Sequence, residues 1–589
     1  MGAILGLVGE GSLAELRDMA APLAPRGRLT RVLTPAAGVL LGQCGHAAAP
    51  EGAGTAVGDC QLDNADALRE RLAAHGRPDV GGDDADLLAA LIGAFRIAGL
   101  AHVRGYFSVA CWDERERSLT LACDTAGFRL LRFVAMPGRL AFASAYKALL
   151  ALPDLNPQPD RDAIQYYLAA MHPPLGSTFL AGVSTMTGGE AIVLREGHWE
   201  RRRYWTPAVL PVRRTRAGHV AAVREAFLDV VRRKVRPYPR IGFTMSGGLD
   251  APAILAAVRQ VKPEAQLVTF TIGSGGSDPE IVGAARVAEH FGTEHHALTF
   301  APESLPQDLP RMIWLLEDCH SREEGLLQFQ VMRGTGQQVP VVMAGHGADA
   351  LLGGMPRHRL IRLAATFPAL TGPLTEIYGL TQIGKPPESW LGRLMAYAIY
   401  RGREVPPPKV IGAGLGPTVP WPGTVDRAAG KEVLDMPTFR LLEPLHQVEQ
   451  VHFQTPYLDP DFVATTLSVP AAVRGGLRDQ KAILRAALAG LLPPEILLRP
   501  KAIQRVRHDQ VLSDILDHMA DERLTPEAVR QRGLVDPAFV AAVRRRPPGA
   551  AYPNEQLYRL WSLVSLETWA RQFLDGAGAP AGVSPEGTA

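Results

Sequence analysis

Short apolar runs alternate with turn residues through the first part of the chain. Phe107-Ser-Val-Ala-Cys-Trp-Asp113, Leu119-Thr-Leu-Ala-Cys-Asp124 and Gly138-Arg-Leu-Ala-Phe-Ala-Ser144 are strand-length segments bounded by polar residues, which predicts stacked hairpins. Helical spacing replaces this pattern at Asp66–Ala74 and Asp84–Ile97, so the sheets are expected to be covered by helices in one mixed domain. That unit ends near Tyr204-Trp205-Thr-Pro207. The stretch from Pro207 to Gly218, with two prolines and three arginines, reads as a linker crossing the surface.

From His219 the pattern becomes one of alternating helix and strand: a helix to Val235, a strand before Ser246, its helix through Val261, and a strand at Leu267–Ile272. Such alternation predicts a parallel, doubly wound sheet whose ligand sits beyond the carboxyl ends of the strands. Beyond Leu360 the chain reads as mainly helical, interrupted from Arg401 to Lys431 by a run rich in proline and glycine. That run is expected to be a loop, with a lid as the alternative.

Two segments carry chemistry. In Ile241-Gly-Phe-Thr-Met-Ser-Gly-Gly-Leu-Asp250 an apolar strand ends in a Ser-Gly-Gly loop, with an aspartate where a helix begins. Glycines let backbone N–H groups approach phosphate oxygens, the helix start offers positive potential, and the aspartate can hold the Mg2+ that a nucleotide brings. Pro340-Val-Val-Met-Ala-Gly-His-Gly-Ala-Asp349-Ala-Leu-Leu-Gly-Gly repeats the order of strand, glycine-rich turn and acid. Two strand-end loops with one aspartate each can grip a metal-bound triphosphate from both sides.

Composition narrows the classes. A chain of 589 residues accommodates about two to four domains. The 47% hydrophobic and 21% charged fractions are those of a globular chain. Lysine and arginine number 62 against 60 acids, a balance that argues against nucleic acid or an anionic membrane as the main partner. Cys44, Cys60, Cys111, Cys123 and Cys319 have neither CxxC nor metal-ligand spacing and read as reduced, packed thiols. The start Met1-Gly-Ala-Ile-Leu-Gly6 lacks a signal-peptide pattern, and Gly6 stands where myristoylation requires Ser or Thr, so a cytoplasmic location is expected.

Taken together, these residues resemble the asparagine synthetase family. Ser246-Gly-Gly-Leu-Asp250 is similar to its PP-loop, Met1-Gly-Ala-Ile-Leu-Gly6 to its start, and Trp112-Asp-Glu-Arg115 and Leu140-Ala-Phe-Ala-Ser144 to its first domain. Phe291-Gly-Thr-Glu-His-His296, Pro456-Tyr-Leu-Asp459, Lys481-Ala-Ile-Leu-Arg485, Arg499-Pro-Lys501 and Leu560-Trp-Ser-Leu-Val-Ser-Leu-Glu567 follow in the family's order. The resemblance implies an α/β protein with an N-terminal Ntn-hydrolase-like α+β sandwich over residues 1–206 that lacks the catalytic cysteine. A doubly wound ATP pyrophosphatase domain with a helical C-terminal part would span 219–575, and 576–589 would form a tail.

The chemistry it implies is activation of a carboxylate by ATP as an acyl-adenylate, release of pyrophosphate, and attack by an amine to give an amide. Ser246, Gly247, Gly248, Leu249 and Asp250, with Gly345 and Gly347, would hold ATP and its pyrophosphate, and Asp250 and Asp349 would bind Mg2+. Lys481 would stabilise the departing pyrophosphate or the tetrahedral intermediate. Arg485 and Lys501 read as structural salt-bridge partners.

Three departures from the family pattern set the subtype. Glutamine-using members begin Met-Cys-Gly, whereas Gly2 and Ala3 stand here, so glutamine hydrolysis is not expected. His346 occupies a position that is Glu in the asparagine synthetases and Tyr in a β-lactam synthetase relative. Its imidazole is either a base toward the incoming ammonium or a donor to phosphate. Ala251 and Pro252 follow the loop aspartate in place of the usual Ser, removing one phosphate donor, while proline is tolerated at a helix start.

Among members without the glutaminase cysteine, these features are most similar to the lasso-peptide cyclases, which join a peptide's N-terminal amine to an Asp or Glu side chain. That resemblance implies a precursor peptide substrate, with a leader-binding protein and a leader peptidase as partners. The Arg401–Lys431 run and the helical C-terminal region are candidate walls for the peptide. An ammonia-using asparagine synthetase or another small-molecule amide or lactam synthetase is the alternative, and a non-catalytic interaction protein is the third. The acidic pairs Glu317-Asp318 and Glu323-Glu324, between the two loops, read as solvated helix surface, with contact to the substrate amine as the alternative.

Overall fold

A computed structural model describes residues 2–45, 55–78, 80–208, 210, 212–245, 248–319, 323–336, 338–383, 388–399, 424–434, 451–476, 479–499, 510–547 and 549–580. The hairpins expected from the alternating pattern form two antiparallel sheets. One runs in the order Arg28–Ala36, Val39–Gly45, Gly2–Gly9, Arg139–Ala143, Arg132–Met136, Val183–Thr185. The other runs His198–Arg203, Glu190–Arg195, Ser118–Cys123, Gly105–Asp113, Ala56–Leu62. Because side chains alternate across a strand, each sheet has one face for its partner sheet and one for helices. Ile4, Leu41, Phe133 and Phe142 of the first sheet meet Val57, Leu121 and Ile192 of the second in a dry layer.

Helices cover the outer faces. Ser12 and Glu15 form a reciprocal cap that starts the helix Leu13–Ala20, and Asp83 and Asp86 do the same for Asp84–Phe95. The latter buries Leu87, Leu88 and Leu91 against the second sheet. The helix expected over Asp84–Ile97 stops at Phe95, where Arg96 takes a left-handed φ of 57° and a 3-10 turn, Arg96–His102, continues. The result is the expected sandwich of two sheets between helices, α+β in its connections.

In the second domain five strands pair in parallel in the order Glu294–Thr299, Gln266–Gly273, Arg240–Thr244, Val341–Met343, His452–Gln454. Alternation again separates the faces. Val268, Phe270 and Ile272 join one helical layer with Leu309, Met312, Ile313, Trp561 and Trp569, while Ile241, Phe243 and Met343 join the other with Phe227, Ile254, Val258 and Phe462. Both faces are covered, as a doubly wound sheet requires. The strand order reverses between Arg240–Thr244 and Val341–Met343, so the crevice that such sheets use for ligands lies above the ends of these two strands. Both glycine-rich loops begin there.

The two domains are joined by buried polar contacts. Glu317, with a left-handed φ of 59°, accepts the backbone N–H groups of Tyr146 and Lys147 at 2.7 Å each. It therefore satisfies the start of the short helix Tyr146–Leu149. This corrects the reading of Glu317 as a solvated acid: it is buried because another domain supplies its donors. Burial pulls the Lys147 ammonium down to about 8 although Glu317 is near, and Trp569 Nε1 donates to the Tyr146 hydroxyl at 2.6 Å. Of the Arg401–Lys431 run, residues 401–423 lie outside the described residues. Its end belongs to a helix, Val425–Leu434.

Candidate active site

The strand Arg240–Thr244 passes through buried Met245 into the first loop. Ser246 and Gly247 lie outside the described residues, while Gly248 and buried Leu249 lead into the helix Asp250–Val261. Pro252 occupies the third position of that helix rather than the first. Its missing N–H is still among those that a helix start leaves without an intrahelical acceptor.

The second loop leaves Val341–Met343 as Gly345, His346 and Gly347, and Asp349 sits in the short helix Ala348–Leu351. Gly345 allows the two loops to touch: a Cβ built on it would lie 2.6 Å from the Asp250 Cβ. Gly347 has a φ of 90°, which glycine adopts without steric cost.

Lys481 brings the two aspartates together. Its ammonium lies 2.6 Å from both carboxylate oxygens of Asp250 and 2.7 Å from Asp349 Oδ1. The lysine stands at the start of the helix Ala482–Ala487 with a φ of 58°, a left-handed conformation sparsely used outside glycine. Burial alone would pull its pKa down, but Asp250 and then Asp349 reverse this and hold the ammonium above its ordinary value. The trio keeps one formal negative charge beyond neutrality. Gly354 supplies clearance, since a Cβ there would stand 2.4 Å from Asp349 Oδ1 and 2.7 Å from Lys481 Cε.

His346 is half-buried, and its ring meets Phe453 edge-on at 5.7 Å between centroids. Burial holds its pKa down to about 4, so the imidazole is neutral at pH 7. Arg485 turns to Asp479 at 3.9 Å and to the Arg499 carbonyl at 3.4 Å; Lys501 lies outside the described residues.

Three residues enter the site for which sequence reasoning assigned no role. Gly354 is one. Tyr457 donates its hydroxyl to the Asp250 carbonyl at 3.0 Å, and Leu458 packs where a Gly347 Cβ would otherwise be. The Gly-Gly pair after Leu352 and the Pro456-Tyr-Leu-Asp459 string were the signals available. Neither string names its distant partner.

Among the described residues no three His, Cys, Asp or Glu side chains converge as a metal cage. Two carboxylates at adjacent strand ends fit a cation that arrives with its own phosphate ligands, the mode Mg2+ prefers. A separate cleft of about 1170 Å3 opens on the outer face of the first domain. Its charged walls pair with each other, as in Arg96–Glu116 at 2.8 Å and Arg195–Glu116 at 3.2 Å, and none of its residues belongs to either glycine loop.

Paired strand-end loops at the switch point of a parallel sheet, with a lysine shared by two carboxylates, place this domain among the doubly wound α/β proteins whose ligand site lies beyond the strand ends. The family model for asparagine synthase matches residues 222–571, and one for a glutamine amidotransferase domain matches residues 52–205. The chain belongs to the asparagine synthase family and is an ATP-dependent amide-forming enzyme of that kind. It is 25% identical over 475 residues to the glutamine-hydrolyzing asparagine synthetase 3 of Bacillus subtilis (strain 168), covering 76% of this chain and 75% of that protein. It is 28% identical over 403 residues to the carboxyethyl-arginine beta-lactam-synthase of Streptomyces clavuligerus, covering 67% and 71%. A solved glutamine phosphoribosylpyrophosphate amidotransferase from B. subtilis, complexed with ADP and GMP, aligns at 10% identity over 52% of this chain and 93% of that one, with a TM-score of 0.27.

Proposed function

We propose that this enzyme closes a macrolactam, coupling the side-chain carboxylate of an Asp or Glu in a peptide to that peptide's own N-terminal amine, as lasso-peptide cyclases do, and that it hydrolyses no glutamine. The observation that supports the absence of glutamine hydrolysis, and so an amine from another source, is at position 2. Gly2 has no side chain, and a Cβ built there would lie 2.2 Å from the Cys44 carbonyl oxygen, inside any non-bonded contact. A nucleophile therefore has neither an atom nor room at that point. Burial pushes the Cys44 thiol up to about 12, and Cys60 is likewise pushed well above its ordinary value, so neither is a thiolate that could substitute.

The amine then comes from the substrate or from solution. Similarity to a protein named as a β-lactam synthase supports the substrate, because a lactam is an amide closed within one molecule.

In the first step a carboxylate oxygen attacks the α-phosphorus of ATP, the bond to the bridging oxygen breaks, and pyrophosphate leaves. The amine nitrogen then attacks the acyl carbon, AMP departs with the former ester oxygen, and the nitrogen loses its proton. Mg2+ held by Asp250 and Asp349 would supply charge neutralisation for the phosphates. Lys481, poised between these carboxylates, offers a fixed positive charge where negative charge develops on the leaving group. His346, neutral at pH 7, is suited to accept a hydrogen bond from the incoming amine. The implied partners are the precursor peptide, a leader-binding protein and a leader peptidase.

Relatives named as asparagine synthetases favour a second reading, in which free aspartate and ammonia are joined. One experiment separates the two. The enzyme is incubated with Mg·ATP and either a synthetic peptide with an N-terminal Gly and an Asp or Glu several positions on, or aspartate with ammonium. Loss of one water from the peptide, with AMP formed in equal amount, is expected; asparagine formation with an unchanged peptide overturns the cyclase reading.

A further inference from the structure

One short turn, Pro456–Leu458, touches both aspartate loops. Tyr457 is fully buried and donates to the Asp250 carbonyl at 3.0 Å. The adjacent Leu458 lies against the second loop, its Cδ2 only 2.6 Å from where a Gly347 Cβ would be. Upstream, the Ala344 N–H donates to the Gln454 carbonyl at 3.1 Å. The spacing of Asp250 and Asp349 is thus fixed by a third segment that contains neither.

That segment is held from the first domain. Tyr106, in the strand Gly105–Asp113, accepts the Thr455 N–H on its hydroxyl at 3.0 Å. Its ring packs on Phe128 at 4.4 Å and under the Lys234 ammonium at 4.6 Å, and Lys234 pairs with Asp63 at 2.7 Å. At the far end Asp459 receives Arg233 at 3.1 Å and caps the helix Pro460–Ser468, while Asp461 of that helix receives Arg104 of the first domain at 2.7 Å. Both ends of the turn are therefore tied to fixed groups.

We propose that Thr455–Asp459 is a clasp that sets the geometry of the nucleotide–metal site, with Tyr457 as its positioning residue, and that the first domain holds the clasp through Tyr106. The first domain then has a use that glutamine chemistry does not require. This inference rests on Asp250 and Asp349 serving the metal-bound nucleotide.

Binding of α,β-methylene-ATP, which cannot be cleaved at the reacting bond, tests it by calorimetry with and without Mg2+. Tyr457→Phe keeps the ring contacts to Phe227 and Phe462, at 5.2 Å and 5.8 Å, and removes only the hydroxyl. It is expected to weaken the Mg2+ complex roughly 10-fold while metal-free nucleotide changes less than about 2-fold, the loss of one buried hydrogen bond. Tyr106→Phe is expected to act in the same direction by about 3-fold, and the double variant to fall short of the product of the two, as residues acting through one element do. If the wild type does not bind the Mg2+ complex, the nucleotide reading fails and the clasp with it. If the wild type binds and Tyr457→Phe binds as tightly, or the two effects multiply independently, the clasp alone is overturned.

Discussion

Asp250 and Asp349 lie at the ends of different strands and share a single ammonium, that of Lys481, at 2.6 Å and 2.7 Å. Two carboxylates this close repel unless a cation stands between them, and the lysine is almost wholly buried. Replacing Lys481 by Ala is expected to destabilise the fold by about 3–5 kcal/mol and to lower adenylate formation about 100- to 1000-fold. Thermal unfolding and ATP–pyrophosphate exchange measure the two effects. Mg2+ should also raise the melting temperature of Lys481→Ala more than that of the wild type, because the metal then takes over the missing charge; an equal rise would separate the carboxylates from the metal.

Gly354 gives a steric test of the same trio. A methyl group at this position meets Asp349 Oδ1 and Lys481 Cε within 2.4 Å and 2.7 Å. Gly354→Ala is expected to cost about 1–3 kcal/mol and to depress activity through a displaced lysine. Gly372→Ala, at a glycine with open space around it, serves as the control and should leave exchange activity unchanged.

Acid should unfold the protein through two histidines. Burial holds both His346 and His452 at about 4, the latter with help from Arg129, against about 6.5 in an unfolded chain. Between these values the unfolded chain binds protons that the native state refuses, so stability is complete above pH 6.5 and declines as pH falls toward 4. Each histidine contributes a slope of up to about 1.4 kcal/mol per pH unit. Urea unfolding at pH 7.5 and pH 5 should show a smaller pH difference for His452→Gln than for the wild type.

Introducing a cysteine at the second position should not create a glutaminase. Gly2→Cys places its Cβ against the Cys44 carbonyl, in a strand paired from Gly2↔Gly45 to Val8↔Val39. Glutamate release from glutamine is expected to stay at background while stability falls by about 1–3 kcal/mol. Measurable glutaminase activity would show that the strand yields.

What could be read from the sequence was whatever depends on near neighbours. The strand Gln266–Gly273 and the helix Arg216–Val235 follow from periodicity to within a few residues, and both aspartate loops follow from glycine and acid at a strand end. The unread parts depend on distant partners. Glu317 looks like a surface acid until Tyr146 and Lys147 arrive from another domain. Tyr457 looks like core until its hydroxyl is found on Asp250, 207 positions away in the chain. The left-handed backbone of Lys481 has no glycine to announce it, because the strain is supported by the two carboxylates it serves.

The closed space around Gly2 also bears on how the first strand can be redesigned. A side chain at this position meets the Cys44 carbonyl, so any larger residue requires the neighbouring strand Val39–Gly45 to retreat with it. Engineering at the chain's first strand is therefore a two-strand problem.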